Sequence, residues 1–174
     1  MTATSANPPT VANKPTPLTW SAELVLGDPR TDVTHQEFID LLNATADCDA
    51  TQQLPRYQQL LEHTVEHFAQ EERWMLACGV APDFCHFSQH ASVLEVMKEV
   101  ERRALAGETD LIGKMLEALV EWFPMHASSM DAGLVTFLKE KEFDTASETF
   151  RAGAHSVSVA VPVCGTHGPD QSCH

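Results

Sequence analysis

Residues 57–75 read YQQLLEHTVEHFAQEERWM, and the spacing within this stretch decides the fold. Tyr57, Leu60, Leu61, Thr64, Phe68 and Met75 recur at steps of three and four, so they share one side of a helix. His67 and Glu71 fall on that same side. Four residues advance an α-helix by ~400°, so the two project from one face, one turn apart. An imidazole and a carboxylate on an apolar stripe are costly to bury unless something binds them.

Three further segments share this character. Upstream, a helix is expected to start near Thr31 or Thr34 and end near Asp47–Asp49, with Phe38, Leu41 and Leu42 on its apolar side and His35 among them. Thr34-His-Gln-Glu37 fits a capping box, and Asp32 is the other candidate cap. The helix carrying His67 is expected from Gln52 or Pro55 to Ala77, with Gly79 offering a left-handed cap. A third helix is expected to start at Pro82-Asp83, where proline suits the first turn. Its stripe is His86, His90, Val93, Leu94, Met97, Val100 and Ala104, and Gly107 closes it. The fourth begins near Thr109-Asp110, carries Ile112, Met115, Leu116, Leu119, Trp122 and Phe123, and ends around Lys141. Four amphipathic helices with short connections predict an all-α fold, an up-down-up-down four-helix bundle.

The bundle is expected over residues 20–143. Before it, residues 1–19 read as a disordered, Pro-rich arm, and residues 20–31 as an extended segment closing in a Gly-Asp-Pro turn. From 144 to 174 the chain turns small and polar and reads as a flexible tail, with a short extended stretch at Val157–Val163. The tail's His155, Cys164, His167, Cys173 and His174 match no zinc or haem-attachment spacing, although a partner-docking role is open to it.

The chain has 174 residues and a formal net charge of −14. Phosphate binding needs a basic face, so this balance argues against nucleic acid and anionic membranes as partners. No run approaches the ~18 apolar residues of a membrane span, and no apolar signal region opens the chain. A cytoplasmic protein with reduced thiols is therefore expected. Cys78 and Cys85 face each other across a turn; small buried residues are the simple reading, and a redox pair the alternative. The scattered glutamates Glu62, Glu66, Glu95, Glu99, Glu101 and Glu117 read as a solvated surface, and His63 as a surface histidine.

One inward layer thus collects His35, His67, Glu71, His86, His90, His126 and Asp131. A metal removes the cost of burying them, because neutral imidazole and ionised carboxylate are the ligand forms it requires. Nitrogen and oxygen donors without a thiolate favour iron or manganese over a structural zinc site. Seven ligands exceed the needs of one ion, so two are implied. If both carboxylates bridge, together with one oxo or hydroxo group, three imidazoles complete six-coordination at one ion. Two imidazoles leave the other with an open position, suited to a small diatomic. The five-residue step from His126 to Asp131 separates the side chains by ~140° on a regular α-helix. A π-bulge or kink between Trp122 and Asp131 is therefore expected. Pro124, two residues before His126, removes a backbone bond and crowds the carbonyl of Val120.

These residues resemble the hemerythrin family, in its bacterial hemerythrin-like form. The likeness is carried by Trp20, by Asp32-x-x-His35-x-x-Phe38 with Asn43, and by His67-Phe68-x-x-Glu71-Glu72-x-x-Met75. It continues in His86-x-x-x-His90 and in Trp122-Phe123-x-x-His126-x-x-x-x-Asp131, and covers about residues 20–140. The resemblance implies a non-haem di-iron protein that stores, delivers or senses dioxygen. It also implies that His86, His90 and His126 hold the saturated iron, that His35 and His67 hold the open one, and that Glu71 and Asp131 bridge. Phe68, Trp122 and Phe123 would line the dioxygen pocket, though core packing explains them equally well. Ala127 departs from the bulky aliphatic often found there, which would admit water and favour oxidation to the ferric form. That departure keeps open a di-iron oxidase or peroxidase, or a nitric oxide or peroxide detoxifier. Iron storage is a third reading. The ferritin-like Glu-x-x-His motif is absent from the sequence.

Overall fold

Asp28 starts the first helix. In the computed structural model, which describes residues 16–151, α1 spans Pro29–Asp47. The Asp28 carboxylate accepts from the Thr31 backbone N–H and the Thr31 hydroxyl, each at 3.0 Å, and Pro29 takes the first turn, where a missing N–H costs nothing. The helix therefore begins before Thr31. Asp32 instead turns back on the loop and accepts from the backbone N–H groups of Leu26 (2.8 Å) and Gly27 (3.0 Å). Gly27 has a φ of 73°, which a side chain would resist. The approach to α1 is not extended throughout, because Ala22–Leu24 forms a 3-10 turn that buries Leu24. Leu18 is pinned to α1 through both backbone groups: its N–H donates to Asn43 Oδ1 and its carbonyl accepts from Asn43 Nδ2.

The long second helix, α2, runs Ala50–Ala77 and stops at Gly79, whose φ of 84° is the left-handed value foreseen. Helix α3 is Cys85–Leu105. It starts after Pro82-Asp83, because the Phe84 N–H is engaged in a turn to the Ala81 carbonyl. Helix α4 is Asp110–His126. A π-turn over Ala127–Asp131 joins it without a break to α5, Ala132–Glu140, so that α4 and α5 act as one fourth rod. Each rod packs on the next in sequence, and α1 also touches α4. The described residues thus form a bundle of helices.

Two apolar clusters fill it. One joins Phe38, Ile39, Leu42, Tyr57, Leu60, Met97, Ile112, Leu116, Leu119 and Phe123. The buried Tyr57 hydroxyl donates to the Met97 carbonyl at 2.9 Å, and burial, then nearby Glu101, pushes its acidity constant up. The other cluster joins Trp74, Met75, Val80, Leu134, Phe137, Leu138 and Phe143. Along α2 the order is Tyr57 and Leu60, then His67 and Glu71, then Trp74 and Met75. The polar layer therefore lies between two apolar ones.

Beyond α5 the chain makes a short hairpin. Strand β1 (Phe143–Asp144) pairs antiparallel with β2 (Thr149–Phe150), Phe143 opposite Phe150. Thr145 donates to Asp28 Oδ2 at 2.8 Å, fastening this hairpin to the start of α1. Two-residue strands are too short to show a period, which is why the sequence reading placed residue 144 in a tail. The Val157–Val163 stretch and the tail's histidines and cysteines lie outside the described residues. Cys78 is a buried free thiol, whereas Cys85 is disulfide-bonded. The two do not pair with each other, and the expectation of reduced thiols fails at Cys85. No described helix is long and apolar enough to cross a membrane.

Candidate metal centre

Each rod delivers its share of the polar layer from an inward face. Helix α1 brings His35, α2 brings His67 and Glu71 one turn apart, and α3 brings His86 and His90 one turn apart. The fourth rod brings His126 and Asp131. All seven are at most 3 % exposed, so these are polar groups taken fully out of water. The five-residue step in the fourth rod is resolved as foreseen. Across the π-turn the Ala132 N–H bonds the Ala127 carbonyl, five residues back, and this wider turn returns Asp131 to the face of His126. Met125 O is served by the Ser129 hydroxyl at 2.6 Å.

The two carboxylates divide the imidazoles into two sets. Glu71 Oε1 lies 3.2 Å from His67 Nε2 and 3.9 Å from His35 Nε2. Its other oxygen, Oε2, lies 3.3 Å from His90 Nε2 and 3.5 Å from His86 Nε2. Asp131 repeats the pattern. Oδ2 lies 3.2 Å from His35 Nε2, while Oδ1 lies 3.1 Å from both His86 Nε2 and His126 Nε2. Two compact donor groups result, one of His35, His67 and Glu71, the other of Glu71, His86, His90, His126 and Asp131.

The donor chemistry fits a cation better than it fits hydrogen bonding. His126 Nε2 lies 3.3 Å from both His86 Nε2 and His90 Nε2. One ring nitrogen facing two others this closely needs a shared proton or a cation between the lone pairs. His35 Nε2, Glu71 Oε2 and both Asp131 oxygens are buried without a hydrogen-bond partner. Such orphans are rare in folded proteins unless an ion or water completes them.

Without a metal, protons meet part of this demand. Burial alone would pull the His35 imidazole down, yet Asp131 and Glu71 hold it up to about 9. The same opposition, with the same two carboxylates, leaves His86 at about 9. Burial dominates at His90 and lowers it. Burial works against charge on Glu71 and Asp131, but the surrounding imidazoles keep both carboxyls below their ordinary range.

Aromatic rings wall the layer. Phe68 stacks on His90 with centroids 3.9 Å apart, and Trp122 on His126 at 4.3 Å. Phe123 meets His35 edge-on at 5.1 Å. Phe68 and Phe123 are buried, and Trp122 is half-buried. Ala127 is fully buried against the first apolar cluster. His63, expected at the surface, is half-buried with Nε2 3.1 Å from the Thr34 carbonyl, and burial lowers its basicity. Two residues were missed as contributors. Glu72 Oε1 lies 3.3 Å from His90 Nδ1, and Gln89 Oε1 lies 3.2 Å from His126 Nδ1. Each directly follows or precedes a residue of the layer, and that adjacency was the signal available in the sequence.

The fold and the layer define a helical bundle with a buried histidine–carboxylate cluster able to hold metal cations. The family model described as the hemerythrin HHE cation-binding domain matches residues 29–138, and the chain belongs to this family. It is 38 % identical over 129 residues to a bacteriohemerythrin of Ralstonia nicotianae, covering 74 % of this chain and 94 % of that protein. It is also 24 % identical over 141 residues to a bacteriohemerythrin of Pseudomonas paraeruginosa, covering 78 % and 91 %.

Proposed function

We propose that this protein holds two iron ions and binds dioxygen at one of them, for storage, delivery or sensing. The observation that carries the reading is the division of labour within each carboxylate. One oxygen of Glu71 and one of Asp131 face the His35–His67 side, and the other two face the His86–His90–His126 side. A bridging role at a pair of ions asks for this arrangement. On this reading His86, His90 and His126 serve one ion, His35 and His67 the other, and Glu71 and Asp131 both. Two ferrous ions held there would supply the electrons, and a position for a small diatomic ligand.

The chain's own residues do the rest. The unequal imidazole count, three against two, leaves room for a ligand beside His35 and His67. Phe123 and Phe68 pack against those rings, and an apolar wall there keeps water and stray protons from that side. Trp122 stacks on His126, on the other side. The succession of helix contacts and the short connections support the up-down-up-down run of the bundle, with residues 20–143 as its extent.

The test is the absorption spectrum of the anaerobically reduced, iron-loaded protein on admitting air, with metal analysis beside it. Two irons per chain and a new visible band that reverses under vacuum are the expected result. Bleaching to the oxidised protein with turnover of peroxide would replace dioxygen binding with an oxidase or peroxidase activity. Failure to retain two ions would overturn the reading altogether.

A further inference from the structure

The two halves of the layer differ in what stands behind the imidazoles. On the three-imidazole side, His90 Nδ1 meets the Glu72 carboxylate and His126 Nδ1 meets the Gln89 carbonyl oxygen, at 3.3 and 3.2 Å. On the two-imidazole side, His35 Nδ1 and His67 Nδ1 are buried with no hydrogen-bond partner among the described residues. An ionised carboxylate can only accept. His90 must therefore carry its proton on Nδ1 and present a bare lone pair at Nε2, toward Glu71 and His126. Gln89 imposes the same tautomer on His126 with a neutral acceptor.

We infer that Glu72 and Gln89 are positioning residues that make the three-imidazole position the tighter and more electron-rich of the two. The inference rests on the di-iron reading above. A ring that donates its remote N–H to an acceptor is held in orientation and becomes a stronger donor at its other nitrogen, and loss of such a partner typically costs about 10- to 100-fold in metal affinity. The anionic Glu72 exerts the larger effect and Gln89 the smaller. Among the described residues the rings of His35 and His67 gain nothing of the kind, so the ion they hold is the first to leave and the easier to keep ferrous. Glu72 and Gln89 are both half-buried. They reach the layer from its rim, so substituting them leaves the apolar clusters intact.

The experiment follows iron loss from the doubly loaded protein to an excess of a strong chelator, together with its reduction potential. The wild-type protein is expected to lose its ions in two phases. In Glu72→Ala the slow phase quickens by about 10- to 100-fold while the fast phase holds, and the potential of the retained ion rises. Glu72→Gln, which keeps an acceptor and removes the charge, recovers part of the loss, and Gln89→Ala shows the smaller effect. A slow phase and potential unchanged in Glu72→Ala would overturn the inference. So would equal acceleration of both phases with a lowered melting temperature, which is what a merely structural role produces. A wild-type protein that takes up no iron would instead overturn the di-iron reading, so the two failures are distinguishable.

Discussion

Removing one residue from the π-turn should leave the centre working, whereas adding one should destroy it. Five residues of regular α-helix turn through ~500°, which would leave Asp131 ~140° away from His126. The wide turn over Ala127–Asp131 takes up that excess. Deleting Ser129 shortens the step to four residues, ~400°, and places the carboxylate within ~40° of the imidazole on an ordinary helix. Leu134, Phe137 and Leu138 keep their facing, because the extra residue and the wide turn vanish together. Ser129 is exposed, and its hydroxyl serves Met125 O in the same rod. The deletion should therefore change stability by no more than ~1 kcal/mol, as surface changes do, or roughly 2–4 °C in Tm for a chain of this size.

Inserting an alanine after Ser129 adds ~100° and swings Asp131 away from His35, His86 and His126. Breaking a buried charge pair costs roughly 3–5 kcal/mol, so Tm should fall by roughly 6–20 °C. Thermal melts of the metal-free variants followed by circular dichroism, with iron-to-protein ratios after loading, measure both. A folded Ser129 deletion that holds no iron would refute the geometric argument, as would an insertion that behaves like the deletion.

Other consequences concern protons, caps and packing. His35 and His86 stand at about 9 in the metal-free fold against an ordinary 6.5. Their contribution to stability is complete below about 6.5 and is lost as pH rises through about 9, so the metal-free Tm should fall across that window. Loading at neutral pH should release protons from the same two rings, which unbuffered titration with ferrous iron measures. Glu71 and Asp131 are shifted the other way, so their contribution is present above the ordinary carboxylate range and disappears on acidification through their lowered values. Asp28→Ala removes both the α1 cap and the partner of Thr145; a loss of about 0.5–2 kcal/mol is expected, together with faster amide exchange in the hairpin. Tyr57→Phe deletes a buried hydrogen bond to Met97 and should cost about 1 kcal/mol in chemical denaturation without altering iron content.

Much of the bundle was legible because its signals are periodic. The stripes of α2, α3 and α4 recur over several turns, and Gly79 and Gly107 mark the ends of α2 and α3 through positive φ. Helix starts were less legible. Asp28, Thr34 and Asp32 all have side chains suited to capping, and only the path of the preceding loop decided that Asp28 caps while Asp32 ties down Leu26 and Gly27. The hairpin was not legible, since its two short strands depend on Thr145 reaching Asp28 across 117 positions in the chain.

The candidate site divides in the same way. Local spacing alone determined that His67 with Glu71, and His86 with His90, project as pairs, because helical geometry acts over a single turn. It also pointed to a bulge or kink between Trp122 and Asp131, because a five-residue step on a regular α-helix leaves the two side chains ~140° apart, and the structure resolves this as a π-turn. Only the tertiary structure decided which oxygen of each carboxylate faces which imidazoles, and that Glu72 and Gln89 stand behind His90 and His126 while no described residue does so for His35 and His67. Those relations depend on how four rods are rotated and staggered against one another. That is set by the packing of the two apolar clusters on either side of the layer, and no residue's near neighbours in the chain encode it.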